Sequence, residues 1–157
     1  MSAQKISDGP IRTAPATLSL RDKTLVAFQG EGNGCPKGAE NARLTVLKIN
    51  SEPKAEIGTA WCASFEGEGA PIVTTSDGNG GNPIVWIVGA EGDNRLHGYR
   101  GDTGEELTKV TGETMQGLRH FVTVLAVDGY LYVAADGRIF ALCFLTKLRN
   151  GPDRTRD

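Results

Sequence analysis

Apolar positions along this chain recur in short runs and never at sustained helical spacing. The runs are "ATLSL", "TLVAFQG", "RLTVLKI", "PIVTTSDG", "PIVWIVGAEG", "RLHGYRGDTG", "VTVLAVDG", "YLYVAADG" and "RIFALCF". They are rich in β-branched and aromatic residues and are punctuated by Gly, Asn and Asp, the pattern of strands separated by turns. No window holds apolar residues at i, i+3, i+4 and i+7 between a cap and a terminating glycine, so no helix is predicted. In "YLYVAADGRIFALCF", Leu131 and Val133 point one way while Tyr132 and Ala134 point the other. Asp136-Gly137 then predicts a two-residue hairpin turn with positive φ at both central residues. The expectation is an all-β chain.

The runs also repeat in order. One unit opens at Pro15 with "PATLSL", "DKTLVAFQG", "ARLTVLKI" and "AEIGTAW". A second opens at Pro71 with "PIVTTS", "NPIVWIVGAEG", "NRLHGYRGDTG" and "EELTKV". A third opens near Phe121 with "FVTVLAVDG", "YLYVAADG" and "RIFALCF". Leu44, Leu96 and Ile139 hold equivalent places, 52 and 43 positions apart. Four-stranded units of about 40–50 residues have the spacing of β-propeller blades. The predicted fold is a β-propeller of about three four-stranded antiparallel blades, either partial or closing by self-association. Its parts are an N-terminal segment (1–14) able to lend an outer strand to the last blade, a blade (15–61), a second blade (71–110), an incomplete third (121–145) and a polar tail (146–157).

Arg100-Gly101-Asp102 spells the tripeptide that integrins bind, but it stands where a third strand ends and Asp102-Thr103-Gly104 turns into a fourth. Asp and Gly are what such a turn requires, so the repeat explains them without adhesion.

Composition narrows the function classes. With 17 basic and 19 acidic residues, net charge −2 and no block of like charge, the chain lacks the concentrated basic face that nucleic acid or an anionic membrane needs. The longest apolar stretches, such as 84–90, are too short to span a bilayer. The N-terminus has no apolar core of a signal peptide, so the expected location is cytoplasmic unless a leader has been removed. Cys35, Cys62 and Cys143 fit no metal spacing, and small buried hydrophobes are the expected reading of Cys62 and Cys143. A Cys35–Cys62 disulfide is the alternative for an exported chain.

"RLHGYRGDTGEEL" resembles the repeat signature of pyrroloquinoline-quinone-type propellers, and "DGYLYVAADGRIFALCF" looks like the first three strands of another such blade. The resemblance covers most of 15–144 and implies the propeller fold. It also implies a periplasmic or secreted location if a leader has been removed. Such repeats occur in quinoprotein alcohol and sugar dehydrogenases, in outer-membrane assembly lipoproteins and in secreted proteins without an assigned role. The dehydrogenases hold pyrroloquinoline quinone between a tryptophan floor and a disulfide of adjacent cysteines, with calcium beside it. This chain has no adjacent cysteines, and Trp61 and Trp86 fall in strands where packing between blades is the expected job. An open arc of three blades leaves apolar sheet faces bare, which implies missing blades or a homo-oligomer.

In propellers of this kind the loops from one blade to the next surround one channel mouth. Two such loops are 62–70, with Glu66 and Glu68, and 111–120, with Glu113, Gln116, Arg119 and His120. Glu66, Glu68, Gln116, Arg119 and His120 are the candidate ligand-binding residues, suited to a small polar ligand or a protein. Solvated loop residues or ion pairs between blades are the plainer explanation and the favoured one. His120 could also cap the strand that follows it. His97 is expected to pack between sheets. "SDGNGGN" fails the EF-hand pattern at Gly81 and Val88, and reads as a hairpin loop. "EGNGCPKG" lacks the Gly-Lys-Ser/Thr of a phosphate cradle and reads as an inserted loop. No nucleophile elbow or paired acid and base is present. The leading expectation is a non-catalytic binding or scaffolding segment without a cofactor or metal of its own. The alternative is the C-terminal part of a quinoprotein-like oxidoreductase acting on alcohols or sugars.

Overall fold

The computed structural model describes residues 5–20, 23–37, 39, 42–50, 56–76, 81–107 and 113–143. They form three antiparallel sheets, and no helix long and apolar enough to cross a membrane occurs among them. The first sheet has four strands in sequential order: β1 (Ala16–Ser19), β2 (Thr24–Gln29), β3 (Leu44–Asn50) and β4 (Glu56–Ala63). The second has β5 (Ile72–Thr74), β6 (Ile84–Val88) and β7 (Leu96–Arg100). The third has β8 (Val124–Val127), β9 (Tyr130–Ala135) and β10 (Arg138–Cys143). The all-β expectation is therefore met, and the described strands fall into three sheets, of which only the first has four strands. In the second, the predicted outer strand is reduced to a bridge between Glu106 and Tyr99, and 108–110 lie outside the described residues.

The sheets stack face to face, and two apolar seams hold them. Alternation along β6 decides this. Val85 and Ile87 join Leu25, Val46 and Trp61 of the first sheet, while Trp86 and Val88 join Leu131 and Val133 of the third. A strand buried on both faces must be apolar throughout, which is why "IVWIV" has no polar position. The first strands of successive sheets are neighbours, β1 beside β5 and β5 beside β8, with a parallel bridge from Ala70 to Thr123.

Trp61 reaches the first seam through a β-bulge. Val46 pairs with Trp61 but Leu47 pairs with Thr59, so Ala60 is an extra residue. In a regular strand Thr59 and Trp61, two positions apart, would share a face; the bulge puts them on opposite ones, Thr59 outward beside Leu47 and Trp61 inward beside Val46. Its indole N–H donates to the Gly101 carbonyl at 2.9 Å. Gly104, at φ 75°, lies so close that a Cβ there would stand 2.6 Å from the Trp61 ring. The Arg-Gly-Asp tripeptide is thus part of a turn seated on Trp61. Its Arg100 is paired with Glu105 at 3.1 Å, and the Gly101 N–H donates to Pro83 at 2.7 Å.

The hairpins are where the chain pattern places them, with one exchange. "SDGNGGN" closes β5 onto β6, its Ser76 N–H donating to Gly81 at 2.9 Å; Asp77 and Asn79 lie outside the described residues. At Asp136-Gly137, between paired Ala135 and Arg138, only Gly137 takes positive φ, at 66°. The turn with both central residues positive is Asp128-Gly129, at 48° and 80°, between β8 and β9.

Two expectations for the first sheet need correction. The N-terminal segment does not join the last unit. Ser7 bridges Gly32, the Asp8 N–H donates to Glu31 at 3.1 Å, and the Asn33 N–H donates to Ile6 at 3.1 Å. It follows the inserted loop because that loop offers unpaired backbone groups near the start of the chain. Cys62 also belongs to β4 rather than to the linker, and it is joined to Cys35 with Cα atoms 5.8 Å apart. This disulfide pins the inserted loop across the outer face of the first sheet. Gly32 is pressed there so closely that a Cβ would meet Thr45 and Cys35 within 2.4 Å.

Candidate functional site

Strand alternation brings two kinds of connection to one end of the stack: the loops joining second to third strands, and the linkers joining one sheet to the next. Backbone hydrogen bonds weave them together. The Glu68 N–H donates to Ala90 at 2.9 Å and the Asp93 N–H to Glu66 at 3.1 Å, tying the first linker to the loop after β6. The Phe121 N–H donates to Glu68 at 2.6 Å and the Ala70 N–H to Val122 at 2.9 Å, tying the two linkers to each other. The Met115 N–H donates to Asn94 at 2.8 Å and the Asp136 N–H to Gly117 at 3.0 Å. Glu91 and Phe121 hold left-handed φ, 57° and 67°, where only glycine is unstrained. Such strain persists only where the surroundings over-determine it, and here the woven loops do so.

Side chains then pair across the same joints. Arg43, before β3, faces Glu68 at 3.8 Å. His120 Nδ1 lies 2.8 Å from a Glu91 oxygen, and its ring meets Phe121 edge-on at 4.6 Å. The Arg119 Nε–H donates to Asp136 at 3.1 Å, and a second guanidinium N–H reaches the other carboxylate oxygen. Each pair joins a linker to a loop. The hydrogen bond with His120 holds the Glu91 carboxyl below its ordinary pKa. The fork of Arg119 lowers Asp136 in the same way, and Asp136 in turn raises Arg119.

Between the pairs lies an open, polar groove of about 300 Å³ lined by Arg43, Gly67, Glu68, Ala90 and Glu91. An adjoining hollow of about 230 Å³ shares Arg43 and Glu68 and adds Arg12, Gln29 and Glu31. The predicted residues thus separate into groups. Glu68 lines the groove and His120 is bonded to Glu91, which also lines it, whereas Arg119 is drawn to Asp136 on the third sheet's turn. Glu66, Glu113 and Gln116 are exposed, Glu66 serving through its backbone carbonyl. His120 does not cap β8, which begins at Val124; its ring is turned to Glu91 instead. His97 packs between Phe65 (5.5 Å) and Tyr99 (6.4 Å) with a 2.8 Å bond to Asp93, as its place between apolar neighbours suggested.

Arg43, Glu91 and Asp136 are the partners that sequence reasoning missed. They stand 25, 29 and 17 positions from Glu68, His120 and Arg119. The available signal was the repeat itself, because second-to-third-strand loops must emerge at the same end as the linkers.

A quinone site of the kind the resemblance implies does not fit these residues. Trp61 and Trp86 are buried in the two seams, and Cys62 is tied to a cysteine 27 positions away. In comparisons with protein-family models, curated proteins and solved structures, nothing matched the chain.

Proposed function

We propose that this chain is a non-catalytic segment of a β-propeller whose loop-bearing end is a binding surface for a polar ligand or a protein. The observation that carries the reading is the convergence of linkers and loops on a polar groove between Arg43, Glu68 and Glu91. Face-to-face sheets, neighbouring first strands and the seating of Trp61 on the Gly101–Gly104 turn support the propeller part. The ion pairs keep opposite charges in fixed places on an end that is open to solvent, which suits recognition of a partner carrying both signs. A disulfide within the first sheet supports an oxidising compartment outside the cytoplasm.

Nuclear magnetic resonance shift mapping with acetate, guanidinium, and short glutamate-rich and arginine-rich peptides tests the proposal. Shifts should cluster at Arg43, Glu68, Glu91 and His120, and Arg43→Ala should remove them. Arg119→Ala should leave these shifts in place without a measurable change in Tm, because Arg119 pairs with Asp136 apart from the groove and such exposed pairs contribute little to stability. Shifts scattered over the surface, or none with any probe, would sink the binding-surface reading.

A further inference from the structure

We propose that the hollow beside the groove is a binding site for a free α-amino acid. Arg12 and Arg43 take its carboxylate, Glu31 and Glu68 its ammonium group, and the Gln29 amide bonds to both. The inference rests on the binding-surface reading and names the ligand class of that end. Gln29 is the observation behind it. It ends β2, and alternation puts its side chain on the inner face with Leu25 and Ala27. Only 5% of the residue is exposed, yet its side-chain amide makes no hydrogen bond among the described residues. The hydroxyls sealed off without a partner are those of Thr13 and Thr45, so the Gln29 amide opens into the hollow that the residue lines. A buried amide left unpaired is costly, and a fold that holds one in a cavity calls for something to complete its bonds.

The charges around the amide select the ligand. Arg12 and Glu31 line the hollow from the N-terminal segment and the inserted loop, and neither side chain has a partner among the described residues. The backbone bonds of Asp8 and Asn33 along that loop hold the segment that brings Arg12 there. Arg43 and Glu68 also line it and stand 3.8 Å apart, beyond hydrogen-bond reach of each other. A lone anion here meets both carboxylates, and a lone cation meets both guanidinium groups. A molecule with a carboxylate and an ammonium group on one carbon answers all four charges. The amide suits it as well, because one end of the Gln29 side chain both donates and accepts. Size agrees. The hollow holds about 230 Å³, below the roughly 300–1,000 Å³ of pockets for drug-sized ligands, which favours a single amino acid over a peptide.

Nuclear magnetic resonance titration of the full chain with the common L-amino acids, propionate and ethylammonium tests it. At least one amino acid should shift the side-chain amide of Gln29 and the Nε–H groups of Arg12 and Arg43. Propionate and ethylammonium, each with one of the two charges, should bind at least tenfold more weakly. Gln29→Leu should weaken amino-acid binding by roughly tenfold or more. The same variant should keep or raise the Tm of the unliganded protein, since leucine fills the space and removes the unpaired amide, whereas a structural glutamine would lose stability. Arg12→Ala guards against misfolding of that variant, because an exposed side chain is removed, and it should weaken binding too. Failure of every amino acid to shift the Gln29 amide overturns the proposal. So does equal binding of propionate or ethylammonium, or a Gln29→Leu variant that binds like the parent. The acetate, guanidinium and peptide shifts at Glu91 and His120 do not involve Gln29, so this assignment and the groove reading fail separately.

Discussion

The outer faces of the first and third sheets begin with the same chemistry and end differently. Each carries large apolar side chains, and each backs onto a seam with the middle sheet. On the first, Phe28 and Leu47 are buried, and an inserted loop that Cys35–Cys62 fastens to β4, and that the N-terminal segment borders, presses Gly32 onto the neighbouring Thr45. On the third, Leu125 and Ile139 stand in solvent. A stack of sheets has two ends, and an end must be capped, joined to another sheet or left wet. Here one end is capped from within the chain, at the cost of a long insertion and a covalent tie. What differs is coverage.

The sharpest way to break this comparison is to truncate matched residues at the two ends. Phe28→Ala should destabilise the fold by about 3–5 kcal/mol, whereas Ile139→Ala, removing an exposed side chain, should stay within about 0.5 kcal/mol in dilute solution. Denaturant titration of both variants decides it, and similar losses would mean the third sheet is covered. Removing the tie comes next. The double variant Cys35→Ser with Cys62→Ser closes no 27-residue loop in the unfolded chain and should lose about 3.5 kcal/mol by the chain-entropy account. Hydrogen exchange should quicken first in 31–37, and an unchanged exchange pattern would show that the loop covers the sheet without its staple.

Smaller effects sharpen the open end. Gly137 has free space around its Cα, so Gly137→Val tests backbone conformation alone, at φ 66°. A loss of about 1–2 kcal/mol is expected in thermal melts, and no loss would mean that the turn relaxes. The smallest effect concerns pH. Glu91 has its folded pKa lowered by His120, so its contribution is complete above the ordinary carboxylate pKa and fades as pH falls through the folded value. A carboxyl resonance titration should show Glu91 protonating below an unpaired glutamate, and His120→Ala should move it upward.

Much of this fold was legible because alternation and turn residues are local signals. The doubly buried β6 announced itself as an unbroken apolar run, and the β5–β6 and β9–β10 hairpins as Gly-rich punctuation. The bulge at Ala60 was not legible, because one extra residue changes which face Trp61 takes without changing the composition of the run. Asp128-Gly129 and Asp136-Gly137 are the same dipeptide, yet only the first holds both residues at positive φ. Strand twist and neighbouring contacts, not dipeptide identity, separate them. At the site, the linkers were found and their partners were not, since Arg43, Glu91 and Asp136 approach only after three sheets have stacked. Whether Cys35 and Cys62 pair depended on a loop lying flat across β4, a matter of tertiary geometry.

The placement of Trp61 and Trp86 has a spectroscopic consequence. They are the only two tryptophans in the chain, and each is buried in a different seam. Each junction between sheets therefore carries its own fluorophore. With Trp61→Phe and Trp86→Phe in separate samples, emission reports the second junction in one tube and the first in the other. The protein holds within itself the means to show whether its layers part together or one at a time.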